Sequence, residues 1–251
     1  VANVNDAPIG TVTIDDTTPT QGQTLTASNN LADADGLGTI TYRWQRDGVD
    51  IAGATGPTYT VVQDDVGTAL VAVASYTDGQ GTAETVASTP TTVVSNVNDT
   101  PTGSVTISDT TPAQGQTLTA SNTLADADSL GTITYHWQRD GVDIPGATGP
   151  TYTVVQDDVG TALVAVASYT DGQGTAETVA STPTTVVNNV NDTPTGSVTI
   201  SDTTPTQGQT LTASNTLADT DGLGPITYHW QRDGVDIPGA TGPTYTVDRK
   251  S

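Results

Sequence analysis

Ile40-Thr41-Tyr42-Arg43-Trp44-Gln45-Arg46-Asp47-Gly48-Val49-Asp50-Ile51 is the stretch that decides the fold. Ile40, Tyr42 and Trp44 alternate with Thr41, Arg43 and Gln45, which gives one apolar and one polar face, the pattern of a half-buried strand. Asp47-Gly48 is a tight-turn signal that sends the chain back through Val49-Asp50-Ile51. The same stretch returns around Trp137 and Trp230, and both intervals (137 − 44 and 230 − 137) are 93 residues. Val4-Asn5-Asp6-Ala7-Pro8 recurs at that period as Val97-Asn98-Asp99-Thr100-Pro101 and Val190-Asn191-Asp192-Thr193-Pro194. Residues 61–94 are repeated without change as 154–187. Self-similarity at a fixed period marks an array of one repeated unit. The expected units are 1–93, 94–186 and 187–251.

Outward from Trp44, the other strand signals follow. Thr11–Ile14 and Thr24–Ala27 read as the first two strands. Gly53-Ala54-Thr55-Gly56-Pro57 reads as a loop, with Tyr59 and Val61 on the strand after it. Thr68–Thr77 reads as a long central strand, and Asp78-Gly79-Gln80-Gly81 turns the chain into a last strand near Glu84–Ser88. About seven strands per repeat, with no helical pattern, predict an all-β fold of tandem Ig-like antiparallel β-sandwich repeats. The third repeat reaches Ser251 without counterparts of 62–94, since Asp248-Arg249-Lys250-Ser251 stands where the earlier repeats continue with Val-Gln-Asp-Asp. It is therefore expected to lack its last two strands and to leave the edge beside Trp230 open.

The 251 residues carry a formal net charge of −22 with no Cys, Met or Phe. Disorder is the first rival for so acidic a chain, and periodic apolar residues argue against it. The absence of Cys removes disulfides, zinc thiolate sites and thiol nucleophiles. The longest apolar run, 69–74, is far too short to span a bilayer. The chain opens on Val1 with no signal-peptide pattern, so a fragment or processed product is expected, with its targeting signal elsewhere.

A Trp on the third strand followed by Gln-Arg-Asp-Gly resembles the core Trp of immunoglobulin-like domains. Asp65-Val66-Gly67-Thr68-Ala69-Leu70-Val71 resembles the entry to their sixth strand, with Ala69 at the position of the corner Tyr and Val71 at that of the Cys. The Asn-Asp-Ala-Pro linker and the Asp33-Ala34-Asp35 loop resemble cadherin-type repeats. Together they resemble the tandem arrays of large bacterial surface adhesins of the type I-secreted, RTX-adhesin kind. That resemblance implies an extracellular or cell-surface location and calcium between repeats. Strand order gathers Asp64, Asp65, Asn98, Asp99, Asp126 and Asp128 at the first junction, with Asp171 as a further candidate. At the second junction it gathers Asp157, Asp158, Asn191, Asp192, Asp219 and Asp221. Calcium takes six to eight oxygen ligands, which such residues supply. The loop and linker match the cadherin-type pattern, while Gln-Asp-Asp replaces its Asp-x-Glu. The competing reading is a solvated acidic surface with turn-forming Asp residues.

Two stricter calcium motifs fail. Counted from Asp33, the twelfth position of an EF-hand loop is Trp44 rather than Glu, and the glycine-rich nonapeptide of β-rolls is missing. His136 and His229 fall on the polar face of the third strand where repeat 1 has Arg43, so no imidazole is required there. No Gly-x-Ser-x-Gly elbow, His-Glu-x-x-His or phosphate loop occurs, and the chain reads as no enzyme. Its acidity disfavours nucleic acid. The expected function is a structural extender whose partners are the neighbouring repeats of the same chain. The alternatives are a filament subunit that self-associates by strand exchange through repeat 3, and a glycan- or protein-binding adhesin module.

Overall fold

The computed structural model describes residues 4–249. Within them the chain forms two compact units. The first runs to Ser104 and takes in Thr123–Ile133 and Ser168–Val179. The second holds Val105–Asn122, Thr134–Ala167 and the chain from Ala180 onward. The junction between repeats 1 and 2 lies inside the first unit, and that between repeats 2 and 3 inside the second.

Repeat 1 has seven strands: β1 Val12–Ile14, β2 Thr24–Asn29, β3 Thr41–Arg46, β4 Val49–Thr55, β5 Thr58–Thr60, β6 Leu70–Thr77 and β7 Ala83–Ala87. They form two antiparallel sheets, β1-β2-β5 and β4-β3-β6-β7. The order is that of an Ig-like sandwich in which β4 joins the sheet of the third strand. Repeat 2 follows with β8 Val105–Ile107, β9 Thr117–Asn122, β10 Thr134–Arg139, β11 Val142–Thr148, β12 Thr151–Thr153, β13 Leu163–Thr170 and β14 Ala176–Ala180, in sheets β12-β9-β8 and β11-β10-β13-β14. Repeat 3 contributes β15 Val198–Ile200, β16 Thr210–Asn215, β17 His229–Arg232, β18 Val235–Thr241 and β19 Thr244–Thr246. Its sheets are β15-β16-β19 and the pair β17-β18.

Period-2 alternation sets the core. Val12, Ile14, Leu25, Ala27, Trp44, Leu70, Ala72, Ala74 and Tyr76 point inward and pack as one cluster in repeat 1. Trp44 is wholly buried; its indole N–H donates to the Gly56 carbonyl at 3.3 Å, and Tyr59 stacks on it at 5.7 Å. At the end of the last strand, side chains replace ladder partners. The Thr91 and Ser88 hydroxyls accept from the amides of Leu70 and Ala72.

Three sequence expectations need correction. Gly53–Thr55 is not a loop but the end of β4, accommodated by a register shift between Arg43 and Gln45, with Gly53 at φ 77°. Val71 does not take the inward position of the Ig-domain Cys. It is opposite Gln45 and half-buried, while Ala72, opposite Trp44, faces the core. The reason is the strict two-residue period of β6. Single 3-10 turns at Gln63–Asp65 and Gln156–Asp158 are the helical segments among the described residues. No helix among the described residues is long and apolar enough to cross a membrane.

Candidate functional site: the junctions between repeats

The first turn after β5 places Asp65 inside its own repeat. Its side chain is 0% exposed. One oxygen accepts from Arg46 at 2.7 Å; the other accepts from the Tyr59 hydroxyl at 2.7 Å and the Val62 amide at 2.8 Å. Asp158 repeats the arrangement with Arg139, Tyr152 and the Val155 amide. A buried carboxylate is tolerable only when so paired. Burial first, and the neighbouring carboxylate second, push the Tyr59 and Tyr152 phenols up to about 12. Asp65 and Asp158 are thus held by their own repeats. Asp64 and Asp157 instead line open clefts beside the β4-β5 and β11-β12 connections.

Of the remaining expected residues, Asp99, Asp126 and Asp128 are linked by hydrogen bonds at the first junction and Asp192, Asp219 and Asp221 at the second, while Asn98 and Asn191 turn to other partners. In the first unit, the Asp126-Ala127-Asp128 loop of repeat 2 folds back so that Asp126 accepts from the Asp128 amide at 2.9 Å and from the Tyr169 hydroxyl at 2.5 Å. Asp128 is 1% exposed. One of its oxygens accepts from the Asp99 amide of the linker at 2.7 Å, and the other from the Gln63 side-chain amide of repeat 1 at 2.9 Å. Asp99 in turn accepts from the Gln21 side-chain amide at 2.7 Å, and Gln21 also accepts from the Val97 amide. Asn98 donates to Glu177 at 2.8 Å. The backbone of the 171–174 turn closes on the same loop, with the Gly172 amide donating to the Asp128 carbonyl.

In the second unit, Asp192 donates its amide to Asp221 at 2.7 Å and accepts from Gln114 at 2.9 Å, while Asp221 donates its amide to Asp219 at 2.9 Å. Asn191 turns to the Asp192 carbonyl. The linker of repeat 1 makes the same contact at its own head, the Asp6 amide on Asp35 at 2.8 Å.

Gln21, Gln63 and Gln114 were not singled out from the sequence. Their signal was the 93-residue recurrence itself, since Gln21 and Gln114, like Gln63 and Gln156, hold equivalent positions.

The donor set bears on the expected calcium. Several buried side-chain oxygens at these turns have no hydrogen-bond partner within the protein: those of Gln63, Asn96 and Asp171 at the first junction, and of Gln156 and Asp221 at the second; Asp78, the repeat 1 equivalent of Asp171, has one too. All are acceptors, as an oxygen-seeking cation requires. No group of three or more His, Cys, Asp or Glu side chains among the described residues is arranged to hold a metal ion.

No family model matches the chain. A curated protein named "Highly immunogenic outer capsid protein", from Enterobacteria phage T4, is 29% identical over 222 residues, covering 86% of this chain and 58% of the phage protein. The chain therefore spans less than two thirds of that relative's length. Among solved structures, the ICAM-5 D1–D4 ectodomain fragment overlaps 95% of this chain and 67% of its own at 14% identity and a TM-score of 0.37. The mouse nectin-like molecule 4 ectodomain overlaps 74% and 65% at 16% identity and a TM-score of 0.32. A calcium-stabilised adhesin with which an Antarctic bacterium binds ice overlaps 98% and 64% at 19% identity and a TM-score of 0.30. These overlaps are loose, and the assignment rests on the strand pairings. By those pairings the chain is all-β, a tandem of immunoglobulin-like antiparallel β-sandwich repeats.

Proposed function

We propose that the chain is a non-catalytic spacer of an extracellular surface protein, in which each repeat adds length and the junctions fix how one repeat follows the next. The observation that supports this most directly is the side-chain bridge Gln63–Asp128, joined by Gln21–Asp99 and the Asp99 amide on Asp128. These bonds tie the tail of one repeat, the linker and the head of the next. Part of the pattern, Gln114–Asp192 with the Asp192 amide on Asp221, recurs one period later. The phage relative's name places that protein on the outside of a particle. Display from an exterior surface, as in the bacterial adhesins the sequence resembles, is the setting proposed for this chain.

Calcium is the ion proposed for the junctions. Asp99, Asp126, Asp128 and Asp171, with the side-chain carbonyls of Gln63 and Asn96, would supply oxygens at the first; Asp192, Asp219, Asp221 and Gln156 at the second. The unpartnered oxygens of Gln63, Asn96, Asp171, Gln156 and Asp221 support this set; both oxygens of Asp126 and of Asp128 already accept hydrogen bonds and would exchange donors for the ion, and the set leaves Asp65 and Asp158 outside. When bound, the ion would neutralise carboxylates and stiffen the joint.

Extracellular calcium modules bind in the range of about 10⁻⁴–10⁻³ M. Small-angle scattering and thermal melting during a calcium titration test the proposal. A larger maximum dimension and a higher Tm at millimolar calcium are expected. No change in either would remove calcium from the account and leave the amide bridges as the only fastening.

A further inference from the structure

One side of repeat 1 is bounded by two sheet edges. β4 ends the sheet β4-β3-β6-β7, and β5 ends the sheet β1-β2-β5. In a constant-type Ig sandwich a fourth strand lies beside the strand equivalent to β5. Here β4 has joined the opposite sheet, and among the described residues no strand pairs with the outer edge of β5. An open cleft of about 780 Å³ runs between the two edges. Val49, Ile51 and Val62 line it, and Val49 and Val62 are 71% and 45% exposed. Asp47, Asp50 and Asp64 line it as well.

The backbone of β5 presents hydrogen-bonding groups along that edge. The Val61 amide donates to the Gln23 carbonyl at 2.9 Å, and the Ala27 amide to the Pro57 carbonyl at 2.7 Å. An antiparallel ladder alternates between opposed residues that exchange such bonds and opposed residues that do not. Midway between those two pairs, Tyr59 therefore bonds to Leu25, its partner in the register. Thr58 and Thr60 fall at the alternate positions, so their N–H and C=O groups turn away from β2 onto the free edge, and both residues line the cleft. Repeat 2 keeps the arrangement. Val154 donates to Gln116 and Ala120 to Pro150, which turns Thr151 and Thr153 outward beside a smaller cleft of about 500 Å³. The charge at the rim in repeat 1 is unbalanced. Arg46 is held by Asp65, and Asp50 by Arg43. Asp47 and Asp64 are exposed and form no ion pair among the described residues.

We propose that the repeat 1 cleft binds an extended, cationic peptide segment of another protein as a strand added to β5. The edge offers two donors and two acceptors to the peptide backbone, and alternate apolar side chains of the peptide enter the cleft against Val49, Ile51 and Val62. Its Lys or Arg side chains meet Asp47 and Asp64 at the rim. Charge selects this occupant. A second copy of the chain, itself at a net −22, would set acidic rims against each other, and nucleic acid would be repelled. The inference goes beyond the spacer reading and does not depend on it.

The test adds a synthetic octapeptide of alternating Val and Lys, capped at both ends, to the full chain at an ionic strength of about 0.15 M. Calorimetric titration gives the affinity, and amide hydrogen exchange by mass spectrometry gives the location. Fragments containing Ala52 belong to repeat 1, since the other repeats have Pro145 and Pro238 there. Saturable binding with exchange of Thr58–Thr60 slowed about tenfold or more is expected. The same peptide N-methylated at every residue keeps its charge, loses every backbone donor and should bind about tenfold more weakly. Asp64→Asn should weaken binding about twofold to fivefold, the worth of an exposed ion pair. Absence of saturable binding overturns the proposal. So does equal affinity for the methylated peptide or for a Val–Glu peptide, or an affinity unchanged in Asp64→Asn. Self-association that protects Thr58–Thr60 without peptide would assign the edge to a second copy and overturn it as well. Each of these failures leaves the spacer reading, tested by scattering, standing.

Discussion

Gln63 Nε2 and Asp128 Oδ1 lie 2.9 Å apart although the residues are separated by 65 positions, and Asp128 is buried where they meet. A neutral amide thereby satisfies a carboxylate that the surrounding turn has taken out of water. The Asp99 amide satisfies the other oxygen, so the charge is stabilised by donors from both the preceding repeat and the linker.

Gln63→Glu removes the donor and sets a second carboxylate against the buried one. Losing a hydrogen bond to a buried charged group costs about 1.5–3 kcal/mol, and the added repulsion acts in the same direction. Calorimetry in chelator should show lowered stability at the repeat 1–2 junction. Gln156→Glu should do less, because Gln156 makes no side-chain hydrogen bond to Asp221 like that of Gln63 to Asp128, and both residues have an unpartnered oxygen. Equal effects of the two substitutions would contradict the assigned role of Gln63.

Asp65→Ala strands Arg46, the Tyr59 hydroxyl and the Val62 amide at once. Breaking a buried charge pair by removing one partner costs about 3–5 kcal/mol. Arg46 keeps a side-chain exposure of 28%, which places the expected loss toward the lower end. Repeat 1 should melt early while repeat 2, with its own Asp158 network, is spared. A loss confined to calcium affinity, with Tm unchanged, would instead make Asp65 a ligand of the junction.

The fold was legible in the sequence where a local pattern decides it. Trp44, its alternating neighbours and the Asp47-Gly48 turn give β3 and β4 directly, and the 93-residue recurrence carries them to the other repeats. The partition of the acidic residues was not legible. Asp64 and Asp65 are adjacent in sequence, yet one lines an open cleft and the other is fully buried, because the 3-10 turn points them in different directions. The glutamines escaped notice for a related reason. A neutral amide carries no charge signature, and its partners are 78 and 65 residues away.

Alkaline pH should destabilise repeats 1 and 2. The Tyr59 and Tyr152 phenols are raised to about 12 in the fold, from the ordinary value of 10.0. A raised pKa means the folded state holds its proton more tightly, so this stability is fully present below pH 10 and is lost as pH climbs toward 12. Melting temperatures measured from pH 8 to 12 should fall above pH 10. Tyr59→Phe should flatten the fall for repeat 1, and an equally steep fall in that variant would disprove the assignment.

Ser129 has φ 78°, where repeats 1 and 3 place Gly36 and Gly222 at 96° and 92°. The left-handed region costs a residue bearing a Cβ about 1–2 kcal/mol, offset in part by the greater freedom of glycine when unfolded. Ser129→Gly should therefore stabilise repeat 2 by roughly 0.5–1 kcal/mol in denaturant titration. Destabilisation would mean that the serine side chain makes a contact worth more than the strain.

The central claim is that consecutive repeats are joined at a fixed angle, and a distance distribution across the first junction tests it most directly. The chain has no Cys, so spin labels can be placed through single cysteines at two exposed strand positions, Thr13 in β1 and Thr178 in β14. Double electron–electron resonance in millimolar calcium should give one narrow distance distribution, broadened by Gln63→Ala, which removes both the amide donor and the carbonyl oxygen, and by chelator. A distribution that is already broad in calcium, and unchanged by either, would mean that the repeats swing freely and that the chain is not a spacer of defined geometry.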